Sequence, residues 1–392
     1  MSLFGSCALA AYIYITSSLF FDTAHFFLHR WTRSRYKPLQ WLARCHSYHH
    51  LYYSHFLNFN DRYRWKNACV ALPLEMVCLC TGALLGWLSL QLLSAPSRSN
   101  GTSPLTAVVA LHIIRLFVVI CMGGRDSNHV TYETVPKDHH WLLVGPQFHA
   151  LHHVYPSRYM GSITRIFDWI AGTAYILRGK TVAITGGSGA FGRAIIRRLH
   201  AEGVENIYTL KFGRDWTHDN FRHVASIFEQ KRPDILILAH GTKGGDAMDA
   251  NFRATAHIIR LYMKSTMSQK NEPKARKTLP EIWYVGSEIE LHPAFGGPEM
   301  HRYLASKRAF LPYARALYDD TRVIYRHIVP AAFHSPMGKA LVSADWAAGC
   351  MMWWIRRGAQ YVPVTYTGLA YLNFFKFVFW VRPRLLGEDW DS

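Results

Sequence analysis

Acidic residues are scarce in this chain: 26 Asp and Glu stand against 44 Lys and Arg, a formal charge of +18 over 392 residues. The basic residues flank apolar runs and form no basic–aromatic reading element, which points to a membrane surface and away from nucleic acid. Paired CxxC motifs are missing, and the seven cysteines are odd in number and scattered through apolar sequence. That pattern disfavours a disulfide framework or a zinc ribbon; the thiols read as small buried hydrophobes in a reducing compartment. No HExxH supplies the general base of a metalloprotease. Solenoid-length repeats and low-complexity tracts are absent as well. Half the residues are hydrophobic and 14% are aromatic, which argues against disorder.

What is present divides near residue 178, in a chain long enough for two domains with real cores. Three runs in the first part suit a bilayer: residues 3–21, 68–95 and 104–124. The first has no basic n-region or small-residue cleavage site, unlike a removable signal peptide. Glu75, His112 and Arg115 fall within the other two and predict an interior-facing side. Eight Lys or Arg lie between the first and second runs, whereas the loop PSRSNGTS carries only Arg98. The positive-inside rule then sets that loop in the lumen and the intervening segment in the cytosol. Asn100-Gly101-Thr102 is a glycosylation sequon too close to the membrane to be used.

Histidine is concentrated in this first part. FDTAHFFLHRW spaces His25 and His29 four apart, and HSYHH puts His46, His49 and His50 at i, i+3, i+4. HALHH repeats that spacing with His149, His152 and His153. On helices each set shares a face. Imidazole suits zinc, copper, iron and nickel alike, but one zinc needs only four ligands. Eight histidines predict two metal ions with open positions, an arrangement suited to oxygen activation on non-haem iron.

The HxxxH, HxxHH, HxxHH set resembles that of the fatty acid hydroxylase/sterol desaturase superfamily of membrane di-iron oxidases. SNHVTYETVP is similar to that family's NHSGYxxP-like segment, and YMGSITRIFDWIAGT to its closing stretch, ending at Asp168, Gly172 and Thr173. The likeness covers roughly residues 20 to 175. It implies an all-α membrane domain whose iron ligands are His25, His29, His46, His49, His50, His149, His152 and His153. His129 would be a ninth ligand or would bond to one, while His55, His139 and His140 read as nearby surface groups. Members of that family usually carry a helical hairpin before the first motif, and here one apolar segment stands in its place. The resemblance therefore implies a lumenal amino terminus or an abbreviated chain.

In the second part, TVAITGGSGAFG is a β-branched strand, then glycines at 186, 189 and 192, then a helix. A dinucleotide-binding turn needs that context, with pyrophosphate at the helix amino terminus. ENIYTLKF and PDILILAHG continue the alternation of strand and helix expected of a doubly wound Rossmann sheet. Tyr303 and Lys307, four apart in HRYLASKRAF, share a helix face, where an ammonium lowers a phenol's pKa toward neutrality. From about 179 to 365 the chain resembles the short-chain dehydrogenases/reductases. That likeness implies Tyr303 as general acid/base, Lys307 as its activator and ribose contact, Ser287 polarising the substrate oxygen, and Asn251 holding a relay water. It likewise assigns Thr185, Gly186, Ser188, Gly189, Gly192 and Gly241 to the dinucleotide. The family's NAG-like turn is Ala239-His240-Gly241 here, its PG turn is Pro330-Ala331, and the gap from Ser287 to Tyr303 is long. After the second strand come Lys211 and Arg214 and no acid before Asp215, favouring NADP(H) over NAD(H).

Residues 368–386, aromatic and basic, predict a helix in the headgroup region, or else a lid over the substrate pocket. As a whole the chain resembles bifunctional sterol desaturase/short-chain dehydrogenase fusions, with a membrane domain over 1–177 and a reductase domain over 178–392. The expectation is O2-dependent hydroxylation or desaturation of a sterol, terpenoid or fatty-acyl-like substrate, coupled to alcohol/carbonyl redox. It would take place at the endoplasmic reticulum membrane, with both sites facing the cytosol and an unspecified electron donor. Two alternatives remain: a membrane-anchored ketoreductase with a non-catalytic histidine domain, or a non-catalytic scaffold of a lipid-modifying complex.

Overall fold

A computed structural model describes residues 3–93, 102–268, 277–293 and 296–385. Arg98, the sequon's Asn100 and residue 386 lie outside the described residues. The chain forms two compact units, Met1–Ile176 and Leu177–Ser392.

The amino-terminal unit is helical: α1 (Leu3–Trp31), α2 (Lys37–Tyr52), the single turn α3 (Arg64–Lys66), α4 (Leu72–Leu93), α5 (Ser103–Cys121), α6 (Pro146–Val154) and α7 (Ile166–Ala171). Three stretches, Phe4–Trp31, Asp61–Leu92 and Ser103–Cys121, are long and apolar enough to cross a membrane. The first runs ten residues past the apolar stretch read from sequence, so the HxxxH pair rides on the end of a spanning helix. Pro73 does not break α4, because a π-helical segment over Asn67–Ala71 lies immediately before that helix and relieves the local hydrogen-bonding demand. On α4, Gly82 and Gly86 form a GxxxG stripe against α1. A Cβ at Gly82 would come 2.6 Å from Phe20 Cβ, and one at Gly86 2.0 Å from Thr16 Oγ1. Small residues thus let two long helices touch along their backbones, where packing rather than hydrophobicity holds spanning helices together. Ser17 adds polar contacts, donating to the Leu79 carbonyl at 2.6 Å and lying 3.0 Å from His112 Nε2.

The carboxy-terminal unit is a six-stranded parallel sheet, in the order β2-β1-β3-β4-β5-β6. Its elements run β1 (Thr181–Thr185), α8 (Ala190–Ala201), β2 (Asn206–Leu210), α9 (Arg222–Lys231), β3 (Ile235–Leu238), α10 (Thr255–Ser268), β4 (Glu281–Val285), α11 (Pro298–Asp319), β5 (Ile324–Pro330), α12 (Ala344–Ile355), β6 (Tyr361–Val364) and α13 (Leu369–Phe379). Strands β3, β4 and β6 are buried throughout, the pattern of a parallel sheet covered on both faces. Strand order reverses between β1 and β3, and in open α/β sheets ligands bind beyond the carboxyl ends of strands at that point.

Filling the GxxxG stripe tests the helix contact. Gly82→Leu forces α1 and α4 apart, with an overpacking cost of about 1–3 kcal/mol. The expected result is a lower unfolding midpoint for the amino-terminal unit in detergent, with dinucleotide binding by the other unit unchanged.

Candidate active sites

Helices α1, α2 and α6 carry eight of the clustered histidines and the loop after α5 carries His129, and each HxxHH turn is split between two clusters. His25, His29, His46, His50 and His152 form one; His49, His129, His149 and His153 form the other. Positions i+3 and i+4 lie on the same helix face but point apart by about 100° per residue of rotation, so neighbours such as His49 and His50 serve different centres. Within the first cluster, neighbouring Nε2 atoms lie 3.2–3.3 Å apart. In the second the spacing is 3.0–3.3 Å. Nitrogens about 2.0–2.1 Å from a common ion leave edges of that length, so both clusters fit a metal.

The outward ring nitrogens fix the tautomer. His152 Nδ1 donates to the Arg158 carbonyl at 2.8 Å, and His153 Nδ1 to the Tyr53 carbonyl at 2.7 Å. His25 Nδ1 faces the Met160 carbonyl at 3.4 Å, and His129 Nδ1 lies 2.7 Å from Asp126 Oδ1. A proton held on Nδ1 leaves the Nε2 lone pair pointing inward, as a ligand requires. Burial first, and the neighbouring imidazoles second, push His46, His50, His149, His152 and His153 well below the ordinary histidine value. Burial also takes His49 down to about 3. All six are therefore neutral near pH 7.

Asp168, fully buried, accepts from the backbone N–H groups of Met160 (2.9 Å) and Gly161 (2.7 Å) and from Thr173. It braces the loop whose carbonyl faces His25. A cavity of about 30 Å³ lies beside the clusters, lined by His25, His49, His129, Glu75, Arg115 and Asp126 among others. It has room for one or two water-sized molecules. Arg115 bridges Glu75 at 3.4 Å and Asp126 at 3.6 Å, so the charges inside the second and third apolar runs are paired and face the cavity. His55 and His139 belong to neither cluster, nor does His140. Sequence reading overlooked Asp126, whose signal was its place three residues before His129.

In the carboxy-terminal unit a cavity of about 510 Å³ opens at the strand carboxyl ends. Gly186 to Gly192, Lys211, Ala239 to Gly241, Val285, Tyr303, Lys307, Pro330, Phe333 and Ser335 to Met337 contribute to its lining. Gly189 caps α8 without a side-chain bond, so the helix's first amides remain available for an anion. A Cβ on Gly192 would lie 2.0 Å from the Gly186 carbonyl oxygen, which keeps the turn closed against the helix. Volume, bare helix amides and glycine crowding together fit a dinucleotide. Of the residues assigned to it from sequence, Gly186, Ser188, Gly189, Gly192, Lys211 and Gly241 line the cavity. Thr185 and Arg214 do not. Thr185 is buried behind the turn, 2.6 Å from His240 Nδ1, and Arg214 is held by Asp215 at 2.6 and 2.8 Å. Of the two basic residues after the second strand, Lys211 alone faces the cavity.

Tyr303 and Lys307, one turn apart on α11, both reach this cavity. Lys307 Nζ donates to the Val285 carbonyl at 2.8 Å. Ser287 hydrogen-bonds Tyr303, while Asn251 lies behind, its Nδ2 donating to the Thr242 carbonyl (2.9 Å) and Ser306 Oγ (2.8 Å). The ammonium was expected to lower the phenol's pKa, and the structure differs. Burial drives Tyr303 up to about 12, against the Ser287 hydrogen bond and with help from the Glu290 charge. Burial also brings Lys307 down to about 8, with Glu290 opposing. Desolvation of the phenolate outweighs a nearby cation.

Glu290 is the group that sequence reading missed. Its carboxylate accepts from the Ser287 backbone N–H at 3.0 Å and lies 2.7 Å from His327 Nε2, in full burial. An acid three residues after Ser287 was its only signal. His240, in the turn that departs from NAG, is held at about 4 by burial and the Lys307 charge. It lies 2.9 Å from the Ala250 carbonyl.

No family model matches the chain. A monoglucosyldiacylglycerol epimerase from Synechocystis sp. is 25% identical over 257 residues, 59% of this chain and 60% of that protein. The chain thus spans about 60% of the curated relative it matches. Among solved structures, a short chain dehydrogenase from Burkholderia cenocepacia in complex with NADP aligns at 18% identity and TM-score 0.42, covering 52% of this chain and 95% of its own. One from Sphingobium yanoikuyae in complex with NADPH aligns at 16% identity and TM-score 0.40, covering 50% and 92%.

The glycine contact yields a prediction. Gly192→Ala sets a methyl group against the Gly186 carbonyl and should weaken dinucleotide binding at least ten-fold, read by titration of nicotinamide fluorescence with the reduced cofactors.

Proposed function

We propose that the chain is a membrane-anchored oxidoreductase in which a short-chain dehydrogenase/reductase-type domain (178–392) converts between an alcohol and a carbonyl on a lipophilic substrate. The observation that carries this reading is the meeting of Tyr303, Lys307 and Ser287 beside one glycine-walled cavity. Bound NADP(H), favoured over NAD(H) by Lys211 in the cavity wall, supplies the hydride acceptor or donor. Tyr303, protonated at neutral pH, gives its proton to the developing alkoxide in reduction, and in oxidation its phenolate receives the alcohol proton. Ser287 orients the substrate oxygen toward that phenol. Lys307 keeps positive charge beneath it, and Asn251 holds the supporting turn.

The first domain (1–177) is, on this proposal, a fatty acid hydroxylase/sterol desaturase-type centre holding two irons in its five- and four-histidine clusters. Iron there supplies the O2 chemistry that an unactivated C–H bond demands and side chains cannot provide. The histidines hold the ions through Nε2. The cavity of about 30 Å³ beside the clusters has room for O2 or water. An unspecified electron donor would supply the reducing equivalents, and both sites face the cytosol at the endoplasmic reticulum.

Similarity to the Synechocystis epimerase favours a second reading, in which the reductase domain inverts a carbinol on a glycolipid by oxidation and re-reduction. That cycle consumes no net NADP(H). A deuterium at the carbinol carbon that returns to product without NADPH turnover distinguishes it from a ketoreductase.

Metal content tests the histidine domain. Detergent-purified wild type should carry about two irons per chain, and His49→Ala/His50→Ala, which removes one ligand from each cluster, should lose both. Zinc alone, or no metal in a folded NADP-binding preparation, leaves a membrane-anchored ketoreductase. For the other domain, carbonyl reduction should hold through neutral pH and decline above about 8 as Lys307 loses its proton. The oxidation rate should keep rising, because it needs the phenolate of Tyr303. A Lys307→Arg variant, slower throughout, should lack the alkaline decline in reduction.

A further inference from the structure

Helix α13 has two unlike faces. Ala370, Asn373 and Phe377, at i, i+3 and i+7, are buried. Leu372, Phe375 and Phe379 are 58%, 58% and 75% exposed, followed by Trp380 at 76%. The exposed face continues onto α12, where the Trp354 ring lies 6.2 Å from Tyr371 and Trp353 is exposed beneath Arg357, whose guanidinium sits 3.6 Å over the ring. From Trp346 to Leu385 the sequence has no Asp or Glu but carries Arg356, Arg357, Lys376, Arg382 and Arg384. Arg356 is paired with Glu202 and Lys376 Nζ donates to the Leu291 carbonyl at 3.5 Å. Aromatic rings and aliphatics flanked by Arg357, Arg382 and Arg384 make up a surface for the headgroup boundary of an anionic bilayer.

The buried face of the same helix is bonded to the catalytic segment. Asn373 Nδ2 donates to the Glu288 carbonyl at 2.6 Å, and the Ala370 N–H donates to the Glu288 carboxylate at 3.1 Å. That carboxylate also accepts from Thr365 and from Thr367 (2.7 Å) in the loop before the helix. The Phe377 ring stacks on His327, centroids 4.7 Å apart, and His327 lies against Glu290, which holds the Ser287 N–H. The helix is thus one packed layer from the residue that bonds Tyr303.

We propose that the exposed face of α13, extended by the tryptophans of α12, docks the reductase unit onto a phospholipid bilayer rich in anionic headgroups, and that docking steadies the Ser287–Glu290 segment. A lipophilic substrate would then meet an ordered site only at the membrane surface. The proposal rests on the membrane-spanning reading of the amino-terminal unit, which fails separately if the chain does not co-elute with lipid nanodiscs. It does not depend on the direction of the redox step.

The test uses the full chain in phosphatidylcholine/phosphatidylglycerol nanodiscs, with a benzophenone amino acid at Leu372, at Phe379 or, as control, at exposed Glu229 on α9. Phospholipid adducts several-fold more abundant at 372 and 379 than at 229 are expected. Adducts with a second copy of the chain, or lipid adducts no more abundant than at 229, overturn the docking surface. For the link to the site, hydrogen exchange over 287–291 in the unlabelled protein should slow at least two-fold when phosphatidylglycerol replaces part of the phosphatidylcholine. Equal exchange in the two membranes overturns it.

Discussion

Nine imidazole nitrogens turned toward one another in a dry interior form the constraint on which the amino-terminal unit depends. Lone pairs 3.0–3.3 Å apart repel. Protonation would relieve the lone pairs only by crowding like charges, which burial makes still more costly. A cation at each centre turns the same geometry into the favourable one. The carbonyls of Tyr53, Arg158 and Met160, with Asp126 and the Asp168 brace, orient the rings toward that outcome. The unit's scaffold serves to bring three helix ends together at that spot, and the small-residue contact between α1 and α4 lets them approach.

The carboxy-terminal unit meets a similar difficulty with a different balance. Tyr303, Lys307, His240, Glu290 and His327 are titratable groups packed around one cavity wall, where each charge must be compensated. Lys307 finds a carbonyl and the field of Glu290, and Glu290 finds His327 and the Ser287 amide. Tyr303 simply stays protonated. The resting site is therefore an acid, and forming the phenolate requires something the chain alone does not provide, such as the positive charge of an oxidised nicotinamide.

How much of this could be read from the residues depended on range. Local periodicity was legible: HxxHH and YxxxK declare their shared faces because 3.6 residues make a turn, and the glycine turn is announced by the strand before it and the helix after it. Partition was not. Nothing in HSYHH says that His49 and His50 belong to different centres, since that depends on where α6 and His129 stand in space. Side-chain direction after a turn was equally hidden: Arg214 reads as a phosphate partner until Asp215 is seen to hold it away. Glu290 was missed because its partners come from different elements, Ser287 from the loop after β4 and His327 from the middle of β5. The apolar run stops ten residues before α1 does, because hydropathy falls at the HxxxH motif while the helix continues.

Splitting each HxxHH turn between two centres ties their fates together. If the clusters hold metal as proposed, an ion in the first would restrain α2 and α6, and with them His49, His149 and His153 of the second. The ordering entropy is then spent once for both sites, so the second ion would bind more tightly than the first. On that reading the two clusters would load cooperatively. Scavenging one ion would release its companion.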